Sequence, residues 1–197
     1  MRGLRFPVSV VQVWLFVALS VLFLALLTRA LFGQPGGEAG ARKDGRSRLG
    51  IILQAVGIAL ASFGPVLATR PPLDPVSIAG TLAVLLLMGG AIGLFAASSR
   101  ALGRNWSIVA RTRSDHELVR HGPYALVRHP IYLGLMLFML ALAVALGHYW
   151  SLVAAIPLYW AGTLIRTRIE DRLLEASFGD TFRDYARSTP ALIPRLR

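Results

Sequence analysis

The sequence predicts an all-α, polytopic membrane protein with about five transmembrane helices, and three observations carry that expectation. Of the 197 residues, 55% are hydrophobic and only 16% charged, where an ordinary soluble domain carries about 25% charged residues. Mean hydropathy is +0.58, and apolar runs near bilayer-spanning length recur along the chain. The cations crowd into alternate connections between those runs. This composition excludes intrinsic disorder, and the length leaves no room for a large soluble catalytic module beside the membrane part.

The first apolar run, Val8 to Leu27, has the roughly 20 residues of a spanning helix and exceeds the roughly 7–15 of a signal-peptide core, so it reads as a retained helix. A polar connection rich in Gly and basic residues, Gly33 to Arg48, leads to a second run from Leu49 to Ala68. Arg70-Pro71-Pro72 closes that run, because neither proline continues a helix. The third run is Pro75 to Ala97. Ser98 to His129 is polar, contains six arginines and is the longest connection, so it belongs in water or at the interface. Ile131 to Leu146 and Tyr149 to Ile165, separated only by Gly147-His148, read as a tight helical hairpin. From Arg166 the last helix is expected to leave the membrane and continue as an amphipathic stretch to about Ser177. These runs divide the chain into 1–97, three helices with a basic connection at 29–48, and 98–197, which holds the hairpin 131–165 and a polar tail.

A net charge of +11 would point to nucleic acid in a soluble protein; here it is read as topology, and no nucleic acid partner is expected. Five crossings put Arg2, Arg5 and Arg70 on one side and the other 18 cations on the opposite side. By the positive-inside rule the N-terminus faces out, and the long connection and C-terminal tail face the cytoplasm, in a plasma or inner membrane. Gly57 and Ala61, and Gly89 and Gly93, have the small-xxx-small spacing of close helix packing. With no cysteine in the chain, disulfides, thiolate nucleophiles and iron–sulfur clusters are excluded.

Polar specificity collects in His116 to Gly134 and in Arg166 to Tyr185. Pro130 suits the first turn of the fourth helix, so Arg128 and His129 stand just before a helix N-terminus. That end of a helix prefers anions, and two cationic residues beside it read as a site awaiting a negatively charged group, such as a cofactor carboxylate. The plainer alternative is that Arg128, His129 and Tyr132 are interfacial anchors. Arg166 and Glu170, four apart, share one helix face. His116, His121 and His129 match no zinc spacing, and no metal is expected. There is no Gly-rich phosphate loop and no serine elbow.

The ordered blocks His121-Gly122-Pro123-Tyr124, Arg128-His129-Pro130-x-Tyr132-x-Gly134, Glu170-Asp171-x-x-Leu174-x-x-x-Phe178-Gly179, Tyr185, Pro190 and Ile193-Pro194 resemble the isoprenylcysteine carboxyl methyltransferase and phospholipid methyltransferase superfamily. Leu102-Gly103-x-x-Trp106-Ser107 fits upstream, and the resemblance covers roughly residues 98 to 197. It implies an integral membrane enzyme that transfers a methyl group from S-adenosylmethionine to a lipid-like substrate at the cytoplasmic face. Carried over by position, it implies cofactor contacts at His116, Leu118, Val119, Tyr124, His129, Pro130, Tyr132 and Glu170, with Arg166 as the substrate-side arginine and Arg166 and Glu170 as the catalytic pair. Asp171 departs from the family's usual second glutamate, and Phe182 stands where a tyrosine is common.

Under that resemblance, His129 and the helix end would hold the cofactor carboxylate, Glu170 would accept from its amine or ribose, and Tyr124 and Tyr132 would flank adenine or the sulfonium. Arg166 would orient a carboxylate acceptor, the isoprenylcysteine type being expected first. The hydrophobic substrate would enter from the bilayer near the fourth–fifth hairpin, where Pro157 would kink the fifth helix. The rivals are a phospholipid amine N-methyltransferase, an NADPH-dependent membrane reductase, whose Arg-His-Pro-x-Tyr block usually has asparagine where Ile131 stands, and a non-enzymatic membrane scaffold whose arginines anchor lipids.

Overall fold

A computed structural model describes residues 6–32, 42–43, 47–103, 111–112 and 117–194. Among them the chain is helical as expected: α1 (Val10–Phe32), α2 (Ser47–Ala61), α3 (Pro75–Leu102), α4 (Pro130–Leu146), α5 (Leu152–Phe178) and α6 (Asp180–Ser188). Short 3-10 turns occupy Gly122–Ala125 and Tyr149–Ser151. One feature outside the all-α expectation is a two-residue antiparallel pairing of β1 (Arg42–Lys43) with β2 (Arg111–Thr112).

At about 1.5 Å per residue, the 23 residues of α1 and the 28 of α3 exceed the roughly 30 Å of a hydrocarbon core, and both helices are apolar enough to cross it. α2 and α4 are shorter apolar helices. The second run, expected to reach Ala68, is helical only to Ala61. Gly64 adopts φ +143° just before Pro65, a conformation that a helix cannot carry. α3 instead outruns its expected end at Ala97 by more than a turn and closes at Gly103, φ +50°. Its start is capped by Asp74, whose Oδ1 accepts from the Val76 and Ser77 amides, with Pro75 at the first position. α5 runs as a single helix through Pro157 to Phe178, so its polar second half is a rigid extension of its apolar first half.

The connections sort into two ends. At one, the Val8 amide donates to the Leu67 carbonyl (2.9 Å), the Arg70 amide donates to the Val8 carbonyl (3.1 Å), and Gly147, φ +72°, leaves room for the Phe6 carbonyl. At the other, the β1–β2 pairing joins the first and third long connections and lies against α5. Successive helices from α1 to α5 therefore run in opposite directions.

α4 and α5 are joined by a tight turn, as the hairpin reading expects, but they meet only sparsely. α4 packs along α3, and α5 along α2. The reason is glycine placement. A Cβ on Gly134 would stand 3.3 Å from the Ala91 carbonyl of α3, and one on Gly162 would stand 2.6 Å from the Gly50 carbonyl of α2. Gly57 likewise faces the Ala155 carbonyl, at 2.9 Å, and Ala61 is fully buried, so that small-residue pair packs as expected. Gly89 and Gly93 do not: nothing lies within 4 Å of a Cβ on either, because they share the outward face of α3 with the exposed Leu82 and Leu86. The core between α1, α3 and α4 is sealed by Phe16, Phe23, Phe95 and Phe138, with Phe23 stacked on Phe138 at 5.1 Å and tilted against Phe95 at 5.2 Å.

Candidate active site

Where α4 begins, α5 passes beside it and presents two consecutive carboxylates, Glu170 and Asp171. Both reach His129: Nδ1 lies 3.3 Å from Glu170 Oε2 and Nε2 lies 2.9 Å from Asp171 Oδ1. A neutral imidazole has one N–H, so two carboxylate partners call for the doubly protonated ring. Burial on its own would push His129 down, but its hydrogen bonds to Asp171 and Glu170 and their charges outweigh burial and raise it above its ordinary value. The acids answer in the opposite sense: burial would raise Glu170 and Asp171, yet the His129 hydrogen bond, aided by Arg166 at Glu170 and by Arg128 at Asp171, holds both below the usual carboxylate range.

Arg128 donates from Nη2 to Asp171 Oδ2 at 2.7 Å and from Nη1 to the Ala186 and Thr189 carbonyls, at 3.2 and 2.5 Å. The Arg128 and His129 amides donate to the Pro190 and Ala191 carbonyls (2.9 and 3.0 Å), and Tyr185 donates its hydroxyl to the Tyr124 carbonyl at 2.6 Å. The segment after α6 is thus strapped across the entry to α4. Phe182 is buried, edge-on to Tyr185 and 6.0 Å beneath the Arg128 guanidinium.

On its other side, Glu170 meets Arg166, one turn earlier on α5, and Tyr132 of α4. The Tyr132 hydroxyl donates to Glu170 Oε1, and Arg166 Nη2 lies 3.4 Å from the same oxygen. Arg166, 7% exposed, holds its guanidinium 4.9 Å from the Tyr132 ring, which also stacks on His129 at 5.8 Å. Arg166 Nη1 donates to Gln54 Oε1 of α2 at 3.3 Å.

Five of the sequence-selected residues therefore converge: His129, Pro130, Tyr132, Arg166 and Glu170. Tyr124 is buried one strap away, held through its carbonyl, and Leu118 and Val119 are half-buried beside the 3-10 turn. His116, Trp106 and Ser107 lie outside the described residues, and His121 is exposed. At the start of α4, where the sequence reading expects an anion, Asp171 and Glu170 stand against Arg128 and His129. Two contributors escape the sequence reading: Asp171, which it treats as a departure from the family pattern, and Gln54, which lies inside an apolar run, although a lone amide in such a run is itself a signal.

Residues 78–181 match the phospholipid methyltransferase family. Among curated proteins, the chain is similar to the cobalt-zinc-cadmium resistance protein CzcN of Cupriavidus metallidurans, 38% identical over 53% of this chain and 49% of that protein. It is similar to the protein-S-isoprenylcysteine O-methyltransferase of Schizosaccharomyces pombe, 36% identical over 47% of this chain and 40% of that one. It is also similar to methanethiol S-methyltransferase 2 of Bradyrhizobium diazoefficiens, 40% identical over 37% of this chain and 27% of that one. The chain spans about half or less of the length of each of these relatives.

Proposed function

Because the chain belongs to the phospholipid methyltransferase family, we propose that it is an integral membrane methyltransferase that uses S-adenosylmethionine, with a hydrophobic carboxylate of the isoprenylcysteine type as acceptor. The observation that carries this reading is the ion cluster Arg166–Glu170–His129–Asp171–Arg128, with Arg166 and His129 buried and the other three half-buried, which joins the apolar run of α5 to the polar segments bearing the family's motifs.

The donor set suits that cofactor, which carries a carboxylate, an amine, a sulfonium, a ribose diol and a flat base. Carboxylates and cations stand side by side here in low-dielectric surroundings, next to buried aromatic rings. The residues proposed to hold it are His116, Leu118, Val119, Tyr124, His129, Pro130, Tyr132 and Glu170. Bound there, S-adenosylmethionine supplies an electrophilic methyl group. Glu170, kept ionised by His129 and Arg166, is the acceptor for an ammonium or hydroxyl. Tyr132, engaged at its hydroxyl by Glu170 and at its ring by Arg166 and His129, fixes where that carboxylate points. Arg166 orients the anionic acceptor. A carboxylate is already ionised, so no residue need remove its proton, and catalysis is alignment of nucleophile and methyl group. A buried guanidinium repels an ammonium, which disfavours an amine acceptor. A thiol, the class named by the Bradyrhizobium relative, presents the same charge once it has lost its proton. The sparse seam between α4 and α5, crossed by the Tyr159 hydroxyl donating to the Tyr132 carbonyl at 2.6 Å, supports entry of an apolar tail from the bilayer. We place the cluster at the cytoplasmic face of five crossings, with the N-terminus outside.

The test is calorimetric binding of S-adenosylmethionine and, separately, NADPH to the detergent-solubilised protein. Micromolar S-adenosylmethionine binding that weakens in Glu170→Ala, with none for NADPH, is the expected result; NADPH binding alone overturns the reading. Labelled-methyl transfer to N-acetyl-S-farnesylcysteine, to its carboxamide and to a long-chain thiol then separates a carboxylate from a thiolate acceptor. Arg166→Ala is expected to lose transfer while the cofactor Kd changes far less.

A further inference from the structure

We infer that Gln54 of α2 is a positioning residue for the active site: its side-chain amide sets the direction of the Arg166 guanidinium. This inference rests on the proposed role of Arg166 at the acceptor. It goes beyond the family match, which begins at residue 78 and so leaves all of α2 outside it.

Gln54 is 4% exposed in a helix whose other residues from Leu49 to Ala61 are all apolar. Burying an amide against apolar helices is costly unless every polar atom is satisfied, and here both ends are. Arg166 can only donate, so the atom facing its Nη1 at 3.3 Å must be the amide oxygen. The amide nitrogen is thereby turned to the Thr163 hydroxyl at 2.9 Å, and that hydroxyl donates onward to the Tyr159 carbonyl at 2.9 Å, leaving a lone pair to accept from Gln54. Only one orientation of the amide is consistent with all three bonds.

The backbone around it is shaped for the same purpose. The Arg166 stem crosses α2 at Gly50, where a Cβ would stand 2.5 Å from Arg166 Cγ, and α5 approaches at Gly162, where a Cβ would stand 2.9 Å from the Gln54 amide nitrogen of the backbone. A stem held in this slot brings the guanidinium between Gln54 Oε1 and Glu170 Oε1, over the Tyr132 ring. Glu170 supplies the charge; Gln54 supplies a neutral, directional acceptor that fixes the fork without cancelling it. A carboxylate at position 54 would compete with an anionic acceptor for the same cation, whereas an amide does not.

The experiment compares wild type with Gln54→Met, which keeps length and apolar bulk, and with Gln54→Glu, which restores an oxygen for Arg166. Methyl transfer to N-acetyl-S-farnesylcysteine and calorimetric S-adenosylmethionine affinity are measured on each. Gln54→Met is expected to raise the acceptor KM or lower kcat by about tenfold or more, with the cofactor Kd within about twofold because the side-chain partners of Gln54, Arg166 and Thr163, are not assigned to the cofactor. Thr163→Val, which frees the amide to rotate, should show part of the same defect. A variant that only melts earlier while both kinetic constants stay at wild-type values overturns the inference. If Gln54→Met does not fold, Gln54→Glu decides: it should keep cofactor binding and lose acceptor turnover, and wild-type turnover in it overturns the inference. If wild type binds S-adenosylmethionine but methylates no farnesylcysteine, the acceptor reading has failed. Gln54 is then judged by a double-mutant cycle with Arg166→Met on thermal midpoint, where non-additive shifts support the pairing and additive shifts overturn it.

Discussion

Arg128 and Asp171, 43 positions apart in sequence, meet at 2.7 Å, and the same guanidinium closes the C-terminal strap by donating to the carbonyls of Ala186 and Thr189. One acid therefore holds both the strap and, through His129, the centre of the site. Asp171→Ala leaves a largely buried arginine without its counter-ion. The expected cost is about 2–3 kcal/mol, between the values for exposed and fully buried pairs, read from denaturant unfolding, together with faster proteolysis after α6. Asp171→Glu, which keeps the charge one methylene farther out, should recover most of it; an Asp171→Ala protein as stable as wild type would show that the strap is held by its backbone bonds alone.

The pH dependence of stability follows from the same trio. His129 is raised above its ordinary 6.5, so its contribution is complete below 6.5 and is lost as pH climbs through the raised value. Glu170 and Asp171 are lowered from 4.5 and 3.8, so theirs is complete above those values and is lost as pH falls through the lowered ones. The thermal midpoint of the unliganded protein should therefore have its plateau between pH 4.5 and 6.5. His129→Asn is expected to flatten the alkaline limb and Asp171→Asn part of the acid limb; limbs unchanged in both variants would remove the trio as the source.

Glycines on two helices make opposite predictions. A Cβ on Gly162 would sit 2.6 Å from a backbone oxygen and cannot be relieved by a rotamer change, so Gly162→Ala should separate α5 from α2 at a cost of about 1–3 kcal/mol. Nothing lies within 4 Å of a Cβ on Gly89. Gly89→Ala should be neutral or stabilise by up to about 1 kcal/mol through helix propensity. Thermal midpoints of the two variants in one detergent decide the matter.

The sequence exposes some of these relationships and conceals others for physical reasons. Helix existence, Pro130 at a helix start and the Arg166–Glu170 spacing are local facts, readable from hydrophobic runs, a ring without N–H and the helical repeat. The pairing of α5 with α2, rather than with its hairpin neighbour α4, depends on which glycines face which backbone, and spacing alone does not distinguish Gly57, which packs, from Gly93, which does not. The anion before α4 was legible as a need. That Asp171 meets it depends on a contact across 42 residues to His129, which no local pattern encodes.

Orientation in the membrane is open to a direct test because the chain has no cysteine, so any introduced thiol is unique. Ser188, exposed at the end of α6, and Ser62, exposed just past α2, lie at the two opposite ends of the helices. By the positive-inside rule the Ser188 end is expected to be cytoplasmic, since Arg166 onward carries seven cations while residues 62–74 carry only Arg70. A membrane-impermeant maleimide added to intact cells should therefore label Ser62→Cys, and should label Ser188→Cys only after permeabilisation. The reverse pattern would put the ion cluster on the outer face, where an intracellular methyl donor could not reach it, and would overturn the proposed function along with the topology. Labelling of both sites in intact cells would mean that the two ends share a side, which the alternating helix directions forbid for any spanning arrangement.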